Sequence, residues 1–112
     1  MIRIIVMLVL LLIASVAGAA SNVLLWDDAS TNETTFHIER KAEVCTGAAA
    51  FAEIATAGAN VVTYTDLAVT EGQAYCYQVA ASNSAGKSAY SNTAVRVVPF
   101  TVPAVPTNLR LQ

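Results

Sequence analysis

The residues around positions 74–82 alternate with a period of two. Tyr75, Tyr77, Val79 and Ala81 fall on one side, and Cys76, Gln78, Ala80 and Ser82 on the other. That is the period of an extended strand with one buried face, so the run predicts a strand whose aromatic and aliphatic set faces a core. Asn83, Ser84, Ala85, Gly86 and Lys87 then supply turn residues, and residues 90–98 predict a returning strand, which makes a hairpin. Upstream, Asn22-Val23-Leu24-Leu25-Trp26 is a short apolar run followed by the polar residues 27–34. Residues 36–41 alternate again, with Phe36 and Ile38 inward and His37 and Glu39 outward. Residues 51–55 and 61–65 suit two more strands. No helical period of useful length follows residue 20, so the body of the chain reads as all-β.

The first 19 residues are different. One basic residue, Arg3, precedes an apolar run over residues 4–13, and the stretch closes on the small residues Ala17, Gly18 and Ala19. This is the layout of a secretory signal helix with an A-x-A cleavage site after Ala19. The alternative is a retained membrane anchor, since residues 4–20 carry no charge and are near the shortest length that spans a bilayer. Cleavage leaves residues 20–112, enough for one small core. The net charge of the whole chain is −2, and loss of Arg3 makes the remainder one unit more negative. With no Lys/Arg cluster, nucleic acid and anionic membrane surfaces are poor partners.

The string YTDLAVTEGQAYCYQVAASNSAGKSAY, residues 64–90, closely resembles strands E to G of a fibronectin type III domain. WDDASTNETTFHIERK, residues 26–41, resembles the end of strand B, the B–C loop and strand C in the bacterial form of that family. The resemblance covers residues 22–98 and implies an immunoglobulin-like Greek-key sandwich, one sheet of strands A, B and E facing another of C′, C, F and G. In the family, a Leu, a Gly and a Tyr at the spacing of Leu67, Gly72 and Tyr75 form a tyrosine corner. Residues 20–98 lack the usual opening strand A. A segment of that kind, with a P-x-x-P-x-N-L pattern, stands instead at residues 103–109 in the Pro-containing tail, residues 99–112. Its Leu109 and Leu111 alternate with Asn108, Arg110 and Gln112, as in an edge strand with one apolar side.

The family also frames the cysteines. An immunoglobulin domain places its second core Cys two residues after the corner Tyr, where this chain has Tyr77, and the B strand has no Cys. Cys76 points outward at the start of strand F and Cys45 follows the end of strand C. Antiparallel pairing of C with F, as the family has it, implies that the two meet at one pole. A Cys45–Cys76 bridge is the expectation for an exported protein, with two free thiols or an intermolecular link as alternatives.

Candidate chemistry is sparse. There is one His, His37, and no Ser/His/Asp grouping or Gly-rich phosphate loop, so no catalytic constellation, metal site or cofactor site is expected. Outward parity makes His37 a cross-strand surface residue. Asp27, Asp28 and Glu33 share a loop but match no defined calcium spacing, and read as a solvated loop. Asn32-Glu33-Thr34 is a formal glycosylation sequon that matters only in a eukaryotic host. Trp26, Phe36, Tyr64, Tyr75 and Tyr77 fall inward and read as core, while Tyr90, just after the F–G turn, reaches solvent.

The expected function is that of a secreted or cell-surface structural or interaction protein without enzymatic activity. Without a strand A, the apolar B edge at Val23, Leu24 and Leu25 becomes a template for another strand. The tail, through Val105, Leu109 and Leu111, has the composition to fill that edge in the next copy. Donor-strand exchange of this kind builds a homo-oligomer or filament. Two other readings stay open: an accessory subunit held at the membrane by its N-terminal helix and presented to an envelope protein, and a module binding polysaccharide or peptide. Fold resemblance alone does not choose among them.

Overall fold

A computed structural model describes residues 3–8 and 20–112. The described residues form eight strands: β1 (Arg3–Leu8), β2 (Asn22–Asp27), β3 (Thr35–Lys41), β4 (Ala52–Gly58), β5 (Thr63–Asp66), β6 (Ala74–Asn83), β7 (Gly86–Lys87) and β8 (Ala94–Val97). One sheet has the order β1-β2-β5. The other runs β4-β3-β6-β7, with β8 also on β6, and every pairing is antiparallel. With β1 in the place of strand A, this is the two-sheet arrangement that the resemblance implies.

Strand parity puts the inter-sheet core where the sequence pattern does, but β6 does not have one open face: Cys76 and Ala80, on its outward side, are fully buried too. Phe36, Ile38, Tyr77 and Val79 are fully buried between the sheets, with Leu24, Trp26, Tyr75, Ala81 and Val98 around them. The rings of Trp26 and Phe36 meet across the sandwich at 5.5 Å and a 56° tilt, a favourable aromatic arrangement. The last strand is not continuous over residues 90–98. It splits into β7 and β8, and serines bridge the gap: Ala81 N–H donates to Ser88 Oγ at 2.9 Å and Val79 N–H to Ser91 Oγ at 3.0 Å. The side-chain oxygens take over ladder bonds that the interrupted strand cannot accept, so the backbone of β6 stays satisfied.

The N-terminal stretch departs from expectation. Over residues 3–8 the chain forms a strand in place of the expected signal or anchor helix. Ile4, Ile5 and Val6 are β-branched, and β2 offers an edge for them to pair with. The proposed cleavage site lies outside the described residues. Among the described residues no helix is long and apolar enough to cross a membrane.

Two cross-links join parts that the core alone leaves separate. The first is a buried polar chain between the sheets. Asn22 Nδ2 donates to Tyr77 Oη at 2.9 Å, Tyr77 Oη donates to Asp66 Oδ2 at 2.7 Å, and Arg40 Nη1 donates to the same oxygen at 2.9 Å. Asn22 and Asp66 belong to β2 and β5 of one sheet, Arg40 and Tyr77 to β3 and β6 of the other. Burial, together with the hydrogen bond it gives to the Asp66 carboxylate, pushes the Tyr77 phenol well above its ordinary range, so it stays a protonated donor.

The second is covalent. Lys41 and Cys76 are register partners on β3 and β6, and Cys45, just past the end of β3, bridges to Cys76 with a Cα–Cα distance of 5.1 Å. The Lys41 side chain, almost wholly buried, donates to the carbonyls of Cys45 (2.9 Å) and Gly47 (2.7 Å) and so fastens the turn that carries Cys45.

Tyr77→Phe removes one hydroxyl and leaves the buried Asn22 amide without its acceptor. The expected cost is about 1–3 kcal/mol, read as a fall in Tm of roughly 4–8 °C per kcal/mol. Cys45→Ser opens a loop of 31-residue separation and should cost roughly 3–4 kcal/mol in the chain-entropy account. Cys76, left as a buried thiol, packs as a small apolar group, so the variant isolates the cross-link. Denaturant titration measures both, and titration of the unreduced wild-type protein should find no free thiol.

Candidate interaction site

The β2 edge is the first half of the candidate site. On one side β2 pairs with β5, from Asn22↔Asp66 to Leu25↔Thr63. On the other it pairs with β1, from Arg3↔Asp27 to Leu8↔Val23, with a register shift between Ile4 and Val6. Leu24 and Trp26 face the core, while Val23 and Leu25 are half-buried on the outer face. In the full chain residues 3–8 cover Val23, Leu24 and Leu25, the edge expected to be open once residues 1–19 are removed. Within residues 20–98 the first strand is β2, and among the described residues the neighbour in the place of strand A comes from residues 3–8, in the segment read as leader.

The tail is the second half. Its last buried anchor is Val98, whose N–H donates to Gln73 O at 3.0 Å and whose carbonyl accepts the Gly72 N–H at 2.6 Å. Gly72 has a φ of +81°, which favours glycine; a Cβ there would also meet the Phe100 ring, but that exposed side chain can move aside. Thr101 donates from its N–H (3.0 Å) and its hydroxyl to the Glu71 carboxylate, and these bonds hold that carboxyl below its usual range. Beyond Thr101 the chain has no regular structure, and Val105, Leu109 and Leu111 are 82%, 96% and 94% exposed. The tail therefore does not meet Val23, Leu24 and Leu25 of its own chain.

At the corner, Tyr75 Oη accepts the Thr70 N–H at 2.9 Å, and the Arg40 guanidinium lies 4.9 Å from the ring centroid of Tyr75. Leu67 is 72% exposed and packs against nothing in the core; Val69, two residues on, is the apolar residue of this segment that does. Asp66 explains the difference. Its side chain turns inward to the polar chain and its Oδ1 accepts the Ala68 N–H at 3.1 Å, which leaves Leu67 on the outside of the bend.

At the pole formed by the β2–β3 loop and the β6–β7 turn, Ser30, Asn32, Glu33, Ser82, Asn83 and Ser88, together with Ala81 and Gly86, line a half-open cleft of mixed polarity. Glu33 ties this loop together, accepting the Ser30 hydroxyl at 2.6 Å and the Asn60 N–H at 3.2 Å. The Ser30 bond first, then backbone N–H groups, pull its carboxyl down to about 2. Among the described residues no three His, Cys, Asp or Glu side chains are grouped to hold a metal ion. His37 bridges strands, with Nδ1 2.8 Å from Glu53 Oε1 and Nε2 2.7 Å from Ser82 Oγ. Tyr90, 44% exposed, donates its hydroxyl to Glu39 at 2.8 Å and accepts from Lys87 Nζ at 2.8 Å.

Comparison with solved structures gives the fold its class. The chain superposes on the pectate lyase Pel3 of Pectobacterium carotovorum with a TM-score of 0.66 and 20% identity, over 95% of this chain and 29% of that one. A β-1,2-glucanase from Parabacteroides distasonis matches at 0.64 and 17%, over 92% and 13%. The sixth fibronectin type III domain of human fibronectin type III domain containing protein 3 matches at 0.63 and 14%, over 94% and 92%. The chain thus spans about a third or less of the two bacterial enzymes and nearly all of the single human domain. Its fold is that of a fibronectin type III domain. No protein-family model and no curated protein sequence matches the chain.

The Glu33 bonds carry a pH prediction. Its folded pKa of about 2 lies below the ordinary 4.5, so its contribution to stability is present above pH 4.5 and is lost as pH falls through about 2. Glu33→Gln lacks that contribution at neutral pH. The difference in Tm between wild type and variant should therefore be largest near pH 6 and shrink steadily between pH 4.5 and 2.

Proposed function

We propose that this chain is an exported, non-catalytic structural and interaction module that assembles head to tail by strand donation. In this reading the leader, residues 1–19, is removed, β2 loses its outer neighbour, and residues 107–112 of one copy take that place on the next. The observation that carries the reading is the pairing of an unoccupied donor with a dependent acceptor: Leu109 and Leu111 are almost fully exposed, and the neighbour of β2 on the side away from β5 lies outside residues 20–98. Set antiparallel to β2, Leu109 falls opposite Trp26 and Leu111 opposite Leu24, both on the core side, while Asn108, Arg110 and Gln112 face outward. Burial of each leucine contributes about 1.5–3 kcal/mol, and the new ladder satisfies an otherwise bare edge. Pro103 and Pro106, which cannot serve a ladder as donors, precede the paired stretch.

The donor belongs to a neighbouring copy for a geometric reason. A tail that folds straight back from Val98 meets its own β2 in parallel orientation, and crossing the domain first uses nearly all the chain between Val98 and Pro106 at about 3.3–3.6 Å per residue. A head-to-tail contact is heterologous, and it propagates as a filament unless its rotation closes a ring.

A second reading, a polysaccharide-directed accessory module, draws on the pectate lyase and β-1,2-glucanase matches. Sedimentation of the module with insoluble polysaccharide, without self-association, would favour it.

Light scattering after size exclusion tests the first reading. Residues 20–112 should form concentration-dependent oligomers, residues 20–102 should not, and a peptide of residues 103–112 should bind the shortened form and raise its Tm. A monomer of residues 20–112 at high concentration, with a protease-sensitive tail, overturns it.

A further inference from the structure

Strand β1 and the proposed donor tail compete for one place, and that competition has a direction. β1 covers the outer edge of β2 along residues 23–27, the edge that strand donation requires. We infer that residues 3–8 are a built-in placeholder: while the leader remains attached they fill the acceptor edge in cis and hold the chain as a monomer, and their removal switches strand acceptance on. This inference rests on the strand-donation reading for the identity of the incoming strand, though the occupancy of the edge is independent of it.

Three observations support the placeholder. Occupancy in cis favours β1, because a strand joined to β2 through residues 9–21 of the same chain acts at an effective concentration on the order of millimolar, which a tail on a separate copy does not reach in dilute solution. The pairing is also imperfect. The register shift between Ile4 and Val6 breaks the β1 ladder in two, and such an irregularity weakens a strand pair and bends it away from regular pleating. Residues 107–112 contain no proline, and residues 108–112 keep a strict two-residue alternation, so they offer an unshifted register once Asn108 leaves the left-handed φ of 59° that it has in the free tail. Once cleavage abolishes the cis advantage, the better-matched strand displaces the poorer one.

The placement of β1 also gives the arrangement its economy. The apolar residues that make the leader an export signal are of the β-branched kind that pairs well with a sheet edge. Covering that edge before processing prevents assembly in the compartment of synthesis, where an open apolar edge is an aggregation hazard.

The test uses the full chain with a specific protease site introduced at residues 17–20, purified intact and then cleaved in the folded state. Amide hydrogen exchange at residues 23–27, light scattering and the fate of the released N-terminal peptide are followed together. The intact chain should be monomeric, with these amides protected on the order of 100-fold or more relative to a cleaved chain lacking residues 103–112 from which the peptide has been washed away. Cleavage should release the peptide and start assembly. In the cleaved, tail-deleted chain, which has no competitor, the peptide should stay bound until dilution. Val6→Pro, which removes a ladder donor from β1, should make the intact chain assemble without cleavage. Two results overturn the inference: rapid exchange at residues 23–27 in the intact chain, or assembly of the intact chain as readily as the cleaved one. Protected amides in the intact chain followed by a monomer after cleavage would support the placeholder and sink the strand-donation reading alone.

Discussion

A single buried carboxylate, that of Asp66, holds the two sheets in register. Left alone between the sheets, the charge would cost far more than a small domain can supply. Here Oδ2 receives the Tyr77 hydroxyl and the Arg40 guanidinium, and Oδ1 receives the Ala68 N–H, so the lone pairs are met from the opposite sheet and from its own bend. A buried ion pair of this sort adds little net stability compared with an apolar filling. Its effect is positional: β5 can meet β3 and β6 in only one register without stranding the charge. Tyr77 carries both terms, with its ring in the core and its hydroxyl in the chain of bonds, at the position where an immunoglobulin domain has a half-cystine.

The rest of the body follows from that alignment. With β3 and β6 set against β5, Lys41 comes opposite Cys76, and Cys45 on the following turn is brought to bridging distance. The bridge lies at the pole of the Tyr75 corner and the Val98 anchor, and the cleft around Glu33 lies at the other. Covalent closure thus stands at the pole where the tail leaves the domain.

Edges are what a sandwich of this size manages least well, since a sheet of few strands has a large share of its backbone at the border. The β1-β2-β5 sheet is complete only with residues 3–8, and it borders the region where a third strand must come from somewhere. The exposed tail bearing Leu109 and Leu111 and the β2 edge that residues 3–8 cover are the two places where apolar surface or backbone donors lie at the border of the sandwich. The proposed strand donation would join them.

Much was legible in the sequence because it depends on local period. The alternation in residues 75–81 and 36–39 determined which side chains face inward, and the turn residues 83–87 determined the hairpin, since a strand exposes successive side chains to opposite faces whatever it packs against. The resemblance of residues 22–98 supplied strand order and with it the nearness of Cys45 and Cys76. Other features had no local signal. Asp66 and Asn22 look like ordinary polar residues at strand ends, and Lys41 like a surface lysine; only packing of one sheet on the other decides that they are buried and bonded. Leu67 fits the corner spacing, but the inward turn of Asp66 put Val69 in the packed position. Residues 3–8 belong to a run that reads as a signal or anchor helix, because a short apolar run has no period that would mark it as a strand. Tertiary structure decided for the strand by offering β2 as a partner, and a strand exists only when another strand completes its hydrogen bonds.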